Sequence, residues 1–225
     1  MAKTNKGIAS RSTILTEARH LLNEKGLSIT VDMIASELGL TRGRITHFFP
    51  TKDSLMVGIM RDYEHELSEL IHQFDWGKGP DFANSVDIMD RVLDLQYEYR
   101  CAIAFLAITT KNQPELHQHI EGSYYNRIDG IRMRTSYMVE KKLLHPQILE
   151  KENWEVYCFQ YTNLLTTWVI SQEMYHSKKA YKKMKPVYIL GAMNLYIPYL
   201  TREGKKAYDA AMVPYVSSIS DSEKA

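Results

Sequence analysis

The chain has 225 residues, of which 44% are hydrophobic and 24% charged, with a formal net charge of +1. That balance excludes disorder over most of the chain and allows burial of about 70% of the unfolded surface without disulfide or metal. The longest apolar run, Cys101–Ile108, is far short of the roughly 20 residues of a membrane span. Met1–Gly7 leads into no apolar signal core, and Cys101 and Cys158 alone make neither a disulfide framework nor a zinc site. A cytoplasmic protein with reduced thiols, no membrane contact and no cofactor is expected.

Charge and aromatics are unevenly distributed. Residues 1–56 carry eight Lys/Arg against five Asp/Glu, a net of +3, whereas residues 57–110 carry four against ten, a net of −6. All 15 tyrosines follow residue 62, and the first 56 residues have only Phe48 and Phe49 as aromatics. A basic head on an acidic body is suited to meeting a polyanion.

The apolar pattern is helical throughout. Ile14, Ala18, Leu21 and Leu22 fall on one face of a first helix, which Gly26 ends. Thr30 caps a second helix with Val31, Ile34, Ala35 and Leu38 on its inner face. Gly39-Leu40 makes a turn, and Thr41 caps a short third helix with Ile45 inward. Pro50-Thr51 starts a fourth helix through Leu55, Ile59, Leu67 and Leu70 to about Phe74. Trp76–Asp81 is the clearest break. Helices are then predicted at 83–98, 99–111, 114–142, 151–176, 186–200 and 203–213, with the Ser-rich stretch 217–225 as a frayed tail.

Ala35, Gly39, Leu40, Thr41 and Ile45 have the spacing of a helix-turn-helix. A small residue lets the helices cross closely, glycine supplies positive φ, and the capping Thr opens a helix that projects polar side chains into a major groove. The outward set is Arg42, Gly43, Arg44, Thr46 and His47. Arginine hydrogen-bonds guanine O6 and N7 bidentately, and glycine lets the helix approach closely.

At these residues the chain resembles the tetracycline-repressor (TetR) family of transcriptional regulators. The likeness runs over residues 13–60: Ile14-Leu15, Ala18, Gly26, Thr30, Ile34-Ala35, Leu38–Thr41, and Gly43–Leu55 with its Phe49, Lys52 and Asp53. It implies an all-α protein with a three-helix DNA-binding domain over 1–50, a helical ligand-binding and dimerisation domain over 51–217, and a flexible tail from 218. It further implies base reading by Arg42, Gly43, Arg44 and Thr46, and phosphate contact by Thr30, Thr41, His47 and Lys52. Thr51 and Lys52 also open the fourth helix, whose N-terminus favours a phosphate. Thr46 and Phe48 depart from the aromatic and polar residues usual there, removing two typical phosphate contacts.

The partners so implied are double-stranded DNA with a near-palindromic operator, a small-molecule effector and a second copy of the chain. The two apolar helices at about 151–176 and 186–200 are the expected homodimer surface. Candidate pocket residues are Tyr97, Arg100, Cys101, Phe105, Tyr125, Met133, Tyr161, Leu165 and Trp168. The function expected is a non-enzymatic, ligand-responsive regulator, a repressor. Two alternatives remain at this point: a Mg²⁺-dependent enzyme using Asp87, Asp90 and Asp94 on one helix face, and a helical adaptor that binds no DNA. His117 and His119, two apart, make poor joint metal ligands, Gly122-Ser123 lacks a nucleophile-elbow pattern, and Lys178, Lys179, Lys182, Lys183 and Lys185 read as a solvated loop.

Overall fold

The computed structural model describes residues 11–109, 114–176 and 180–222, with the backbone alone at 107–109, 114–121, 123 and 220–222. The helices are α1 (Arg11–Lys25), α2 (Val31–Glu37), α3 (Arg42–Phe48), α4 (Lys52–His72), α5 (Phe82–Glu98), α6 (Arg100–Thr109), α7 (Pro114–Glu140), α8 (Lys151–Tyr175), α9 (Tyr181–Met193) and α10 (Arg202–Ser222). Short 3-10 helices lie at Pro146–Leu149 and Asn194–Tyr199. Among the described residues there is no strand beyond one isolated antiparallel bridge, Leu144 with Leu200, so the all-α class predicted from periodicity holds. No described helix is long and apolar enough to cross a membrane.

The chain forms two compact units. The first holds the described residues from Arg11 through Ser68 and those from Leu95 to Thr109. Of the predicted core, Ile14, Ala18 and Leu22 of α1, Ile34 and Ala35 of α2, Ile45 of α3, and Leu55 and Ile59 of α4 are buried, joined by Leu15 and Met56, whereas Leu21, Val31, Leu38, Leu67 and Leu70 are only half-buried. Gly58 permits close packing, since a Cβ there would stand 2.8 Å from Leu15 Cδ2 and 3.0 Å from the Phe49 ring. Asn23 explains why the α5–α6 junction belongs to this unit. Its side chain donates to the Glu98 carbonyl (2.6 Å) and accepts from the Cys101 N–H (2.9 Å). The Tyr99 hydroxyl donates to Glu66 (2.6 Å), while the Arg19 guanidinium lies 4.1 Å from the Tyr99 ring centroid.

The second unit comprises Glu69–Asp94 with the described residues from 114 onward. Aromatic side chains build its core. Phe82 meets Tyr196 and Tyr208 edge-on at 5.7 and 5.5 Å, and Tyr157 packs on Trp154, Tyr161 and Tyr196. Such pairs add to area burial through quadrupole geometry. Within this unit α9 packs against both α8 and α10. The segment after α7 turns through Lys142 at φ 58°, and the His145 N–H then donates to the Tyr199 carbonyl at 2.7 Å.

Two predicted boundaries are corrected. The helix expected at 186–200 begins five residues earlier, at Tyr181, with Pro186 inside it, and gives way to 3-10 geometry at Asn194. Proline reads locally as a helix start. Here the burial of Tyr181 and Met184 outweighs the one hydrogen bond that Pro186 cannot make. Pro198 has no N–H to give the Asn194 carbonyl, so the far end does not continue as α-helix. The last helix expected at 203–213 runs to Ser222 instead, through Pro214. Met212 is buried, and the Ser218 hydroxyl donates back to the Pro214 carbonyl at 2.8 Å.

Candidate nucleic-acid interface

The turn between α2 and α3 is built by local chemistry. Thr30 caps α2 by accepting the Met33 N–H (3.2 Å), and Thr41 caps α3 by accepting the Arg44 N–H (3.3 Å). Between them Gly39 takes φ 63°, with its N–H on the Ser36 carbonyl and the Leu40 N–H on Ala35 (2.8 Å). This is the Schellman arrangement, and it satisfies the last carbonyls of α2. Ile45 is 0% exposed and anchors α3.

The opposite side of α3 is polar. Arg42, Gly43 and His47 are exposed, and a Cβ added at Gly43 would meet nothing within 4 Å. Arg44 and Thr46 are half-buried rather than fully outward. The Arg44 guanidinium lies 5.3 Å from the Phe48 ring centroid, against which His47 packs edge-on at 4.9 Å. Thr46 Oγ1 donates to the Gly43 carbonyl at 3.4 Å. Arg42 Nη1 donates to Asp32 Oδ2 at 2.7 Å, an ion pair that sequence inspection missed. Its only signal is an acid in the first turn of one helix and an arginine in the first turn of the next.

The residues expected at phosphates divide. Thr30 and Thr41 use their oxygens as caps, and each hydroxyl keeps its own proton as a donor. Thr51 and Ser54 cap the start of α4 reciprocally: Thr51 Oγ1 accepts the Ser54 N–H and Ser54 Oγ accepts the Thr51 N–H, each at 3.0 Å. Lys52 is half-buried and donates to the Leu27 carbonyl. Desolvation by burial lowers its pKa, partly opposed by the neighbouring charge of Asp53.

The nine candidate pocket residues are not gathered in one body. Tyr97, Arg100, Cys101 and Phe105 belong to the first unit, the other five to the second. Arg100 donates to the Tyr97 and Asn23 carbonyls, each at 3.0 Å, with its guanidinium 4.5 Å from the Tyr97 ring centroid. It thus staples α1 to the α5–α6 junction. Cys101 and Phe105 are buried. In the second unit Tyr161 is buried against Tyr157, Trp168 lies between Tyr181 and Tyr188, and Leu165 is half-buried. Tyr125 and Met133 are corrected as lining residues: they are 57% and 71% exposed. They lie eight residues apart on the outer face of α7, whose inner face is taken by Ile131, Thr135 and Met138.

The acidic face of α5 is also corrected. Asp87 accepts from Arg91 at 3.0 Å, while Lys185 bridges Asp90 (2.7 Å) and Asp94 (2.9 Å) with only 13% of its side chain exposed. The Tyr181 hydroxyl donates to Asp94 at 2.9 Å. These carboxylates therefore serve cations of the protein itself, and no group of His, Cys, Asp or Glu that could hold a metal occurs among the described residues. Lys185 is accordingly helical and ion-paired rather than part of a solvated loop. Lys182 and Lys183 are exposed, whereas Lys178 and Lys179 and the side chains of His117, His119 and Ser123 lie outside the described residues.

Comparison with known proteins agrees with this geometry. Residues 14–59 match the family described as "Bacterial regulatory proteins, tetR family", and residues 62–208 match one described as "Bacterial transcriptional repressor". The fold is similar to the crystal structure of a TetR-family transcriptional regulator from Marinobacter aquaeolei VT8. The TM-score is 0.80 at 20% sequence identity, covering 92% of this chain and 98% of that one. No curated protein sequence matches the chain.

Proposed function

Because the chain belongs to the TetR family of DNA-binding transcriptional regulators, we propose that it is a ligand-responsive repressor binding a near-palindromic operator as a homodimer in the cytoplasm. The observation that carries this reading is α3, fully buried at Ile45 and polar along Arg42, Gly43 and His47. That division is what a recognition helix needs to be held firmly while reading a groove. Arg42, Gly43, Arg44 and Thr46 are assigned to base edges. Thr30, Thr41, His47, Thr51 and Lys52 are assigned to phosphates.

The dimer is assigned to the apolar side chains that the second unit leaves in solvent. On α8 these include Val156, Phe159 and Leu164, on α9 Val187, and on α10 Val213 and Val216. Two-fold symmetry sets the recognition helices one DNA turn apart, roughly 34–36 Å. A small molecule bound among the C-terminal helices changes the tilt of α4, which three residues separate from α3, and the half-site spacing is lost. The effector must bind the two states with different affinity.

The test is a titration of DNA flanking the protein's own gene against a scrambled duplex of equal length, at several salt concentrations. Tight binding to the native duplex alone, weakening steeply with salt, is expected. Equal weak binding to both at every salt concentration would favour the adaptor reading. Failure of every effector tested to change DNA affinity would remove the ligand-responsive part.

A further inference from the structure

Asp32 stands in the first turn of α2, and Arg42 is the first residue of α3. They are ten residues apart in sequence, yet Arg42 Nη1 and Asp32 Oδ2 are 2.7 Å apart across the turn. Both side chains stay open to solvent, 65% exposed for Arg42 and 58% for Asp32. Acid at this position already has a local reason to exist, because a carboxylate in the first turn favours the helix dipole. That reason needs no arginine, and it does not explain why Arg42 folds back onto it.

A free arginine side chain carries considerable rotamer entropy and samples many directions. Beside DNA it has two competing acceptors, a guanine edge and a phosphate, and only the first carries sequence information. A carboxylate on one Nη restricts the guanidinium plane. It also sets beside the guanidinium a negative charge, which repels an approaching phosphate. The first effect lowers the ordering cost of a base contact, and the second penalises the wrong partner.

We propose that Asp32 is a specificity-determining positioning residue. Its carboxylate buttresses Arg42, so that the guanidinium presents a fixed N–H edge to guanine in the major groove. This rests on the assignment of Arg42 to a base edge. The remaining donors of the fork supply the contact to guanine O6 and N7, while Asp32 itself touches no base.

The experiment uses the full chain and a randomised duplex pool, with the bound fraction sequenced for wild type, Asp32→Asn, Asp32→Glu, Arg42→Ala and the Asp32→Asn/Arg42→Ala double variant. Thermal midpoints without DNA are measured alongside. Asp32→Asn is expected to flatten the guanine preference at one position per half-site by about twofold to fivefold, the range of an exposed ion pair. Other positions keep their preferences, Asp32→Glu restores much of the loss, and Asp32→Asn changes nothing further once Arg42 is alanine.

A uniform change in affinity with an unaltered base profile would assign Asp32 to general charge or to the helix dipole and overturn the proposal. So would the same flattening in the Arg42→Ala background. If Arg42→Ala changes the profile and Asp32→Asn does not, the buttress fails while the base-reading assignment stands. If Arg42→Ala leaves the wild-type profile, or the pool yields no enriched sequence, the base-reading assignment fails and takes the buttress with it.

Discussion

Arg42 and Arg44 flank one glycine yet meet different surroundings, an Asp32 carboxylate for the first and the Phe48 ring for the second. Arg44→Ala is expected to cost about 1–3 kcal/mol on operator DNA and relax specificity at one base pair. Equal losses on operator and random duplexes would contradict its role. Lys52→Ala is expected to weaken binding to all duplexes about equally and to reduce the salt slope. Because Lys52 also donates to the Leu27 carbonyl, a lowered urea midpoint should accompany that change. The two thiols allow a separate test. Burial pushes Cys101 and Cys158 up from 9.0 to about 11, so both stay protonated and unreactive near neutrality. Alkylation at pH 8 is expected to be slow in the native protein and rapid in urea. A folded pKa above the ordinary value means that the stabilisation is complete below about pH 9 and is lost as pH rises through about 11.

At the scale of elements, the caps and turns follow from their own residues, whereas the ends of α9 and α10 do not. Thr30, Gly39 and Thr41 act over three or four residues, so their roles were legible without tertiary information. Pro186 and Pro214 obey the same local rules and mislead, because burial at Tyr181, Met184 and Met212 holds the helices together around them. Asp87, Asp90 and Asp94 likewise suggested a cation site, until Lys185 of α9 took two of the three carboxylates. The start of α10 has a sharper constraint. A Cβ at Gly204 would stand 1.8 Å from the Leu143 carbonyl oxygen, a backbone atom. Gly204→Ala is therefore expected to lower stability by about 1–3 kcal/mol or more, measured by urea denaturation. An unchanged midpoint would show that the two segments separate at no cost.

For the whole molecule, the consequence to test is assembly. Phe159 is 68% exposed on α8, and Val213 and Val216 are exposed on α10. A homodimer that covers them is expected to be disrupted by Phe159→Asp, which places a charge in an apolar contact. Sedimentation should show a monomer, circular dichroism should show unchanged helix content, and operator affinity should fall by at least tenfold as the paired half-site contact is lost. A dimer that survives Phe159→Asp at micromolar concentration would move the interface elsewhere. The expected pocket belongs to the same scale. The family resemblance implies a pocket and residue type suggests its nine candidates, but neither says which unit or which side of α7 a residue occupies. Tyr125 and Met133 consequently proved exposed.

The amino-acid order by itself determined the all-α class, the helix-turn-helix and its caps, because these depend on periodicity and on hydrogen bonds spanning a few residues. Only the tertiary structure decided that Asp32 holds Arg42, that Asn23 and Arg100 bind α1 to the α5–α6 junction, and that Lys185 pairs with Asp90 and Asp94 of α5. Each of those contacts joins residues distant in sequence or on different helices. Which acceptor a long polar side chain finds is set by how the helices pack, not by its neighbours along the chain.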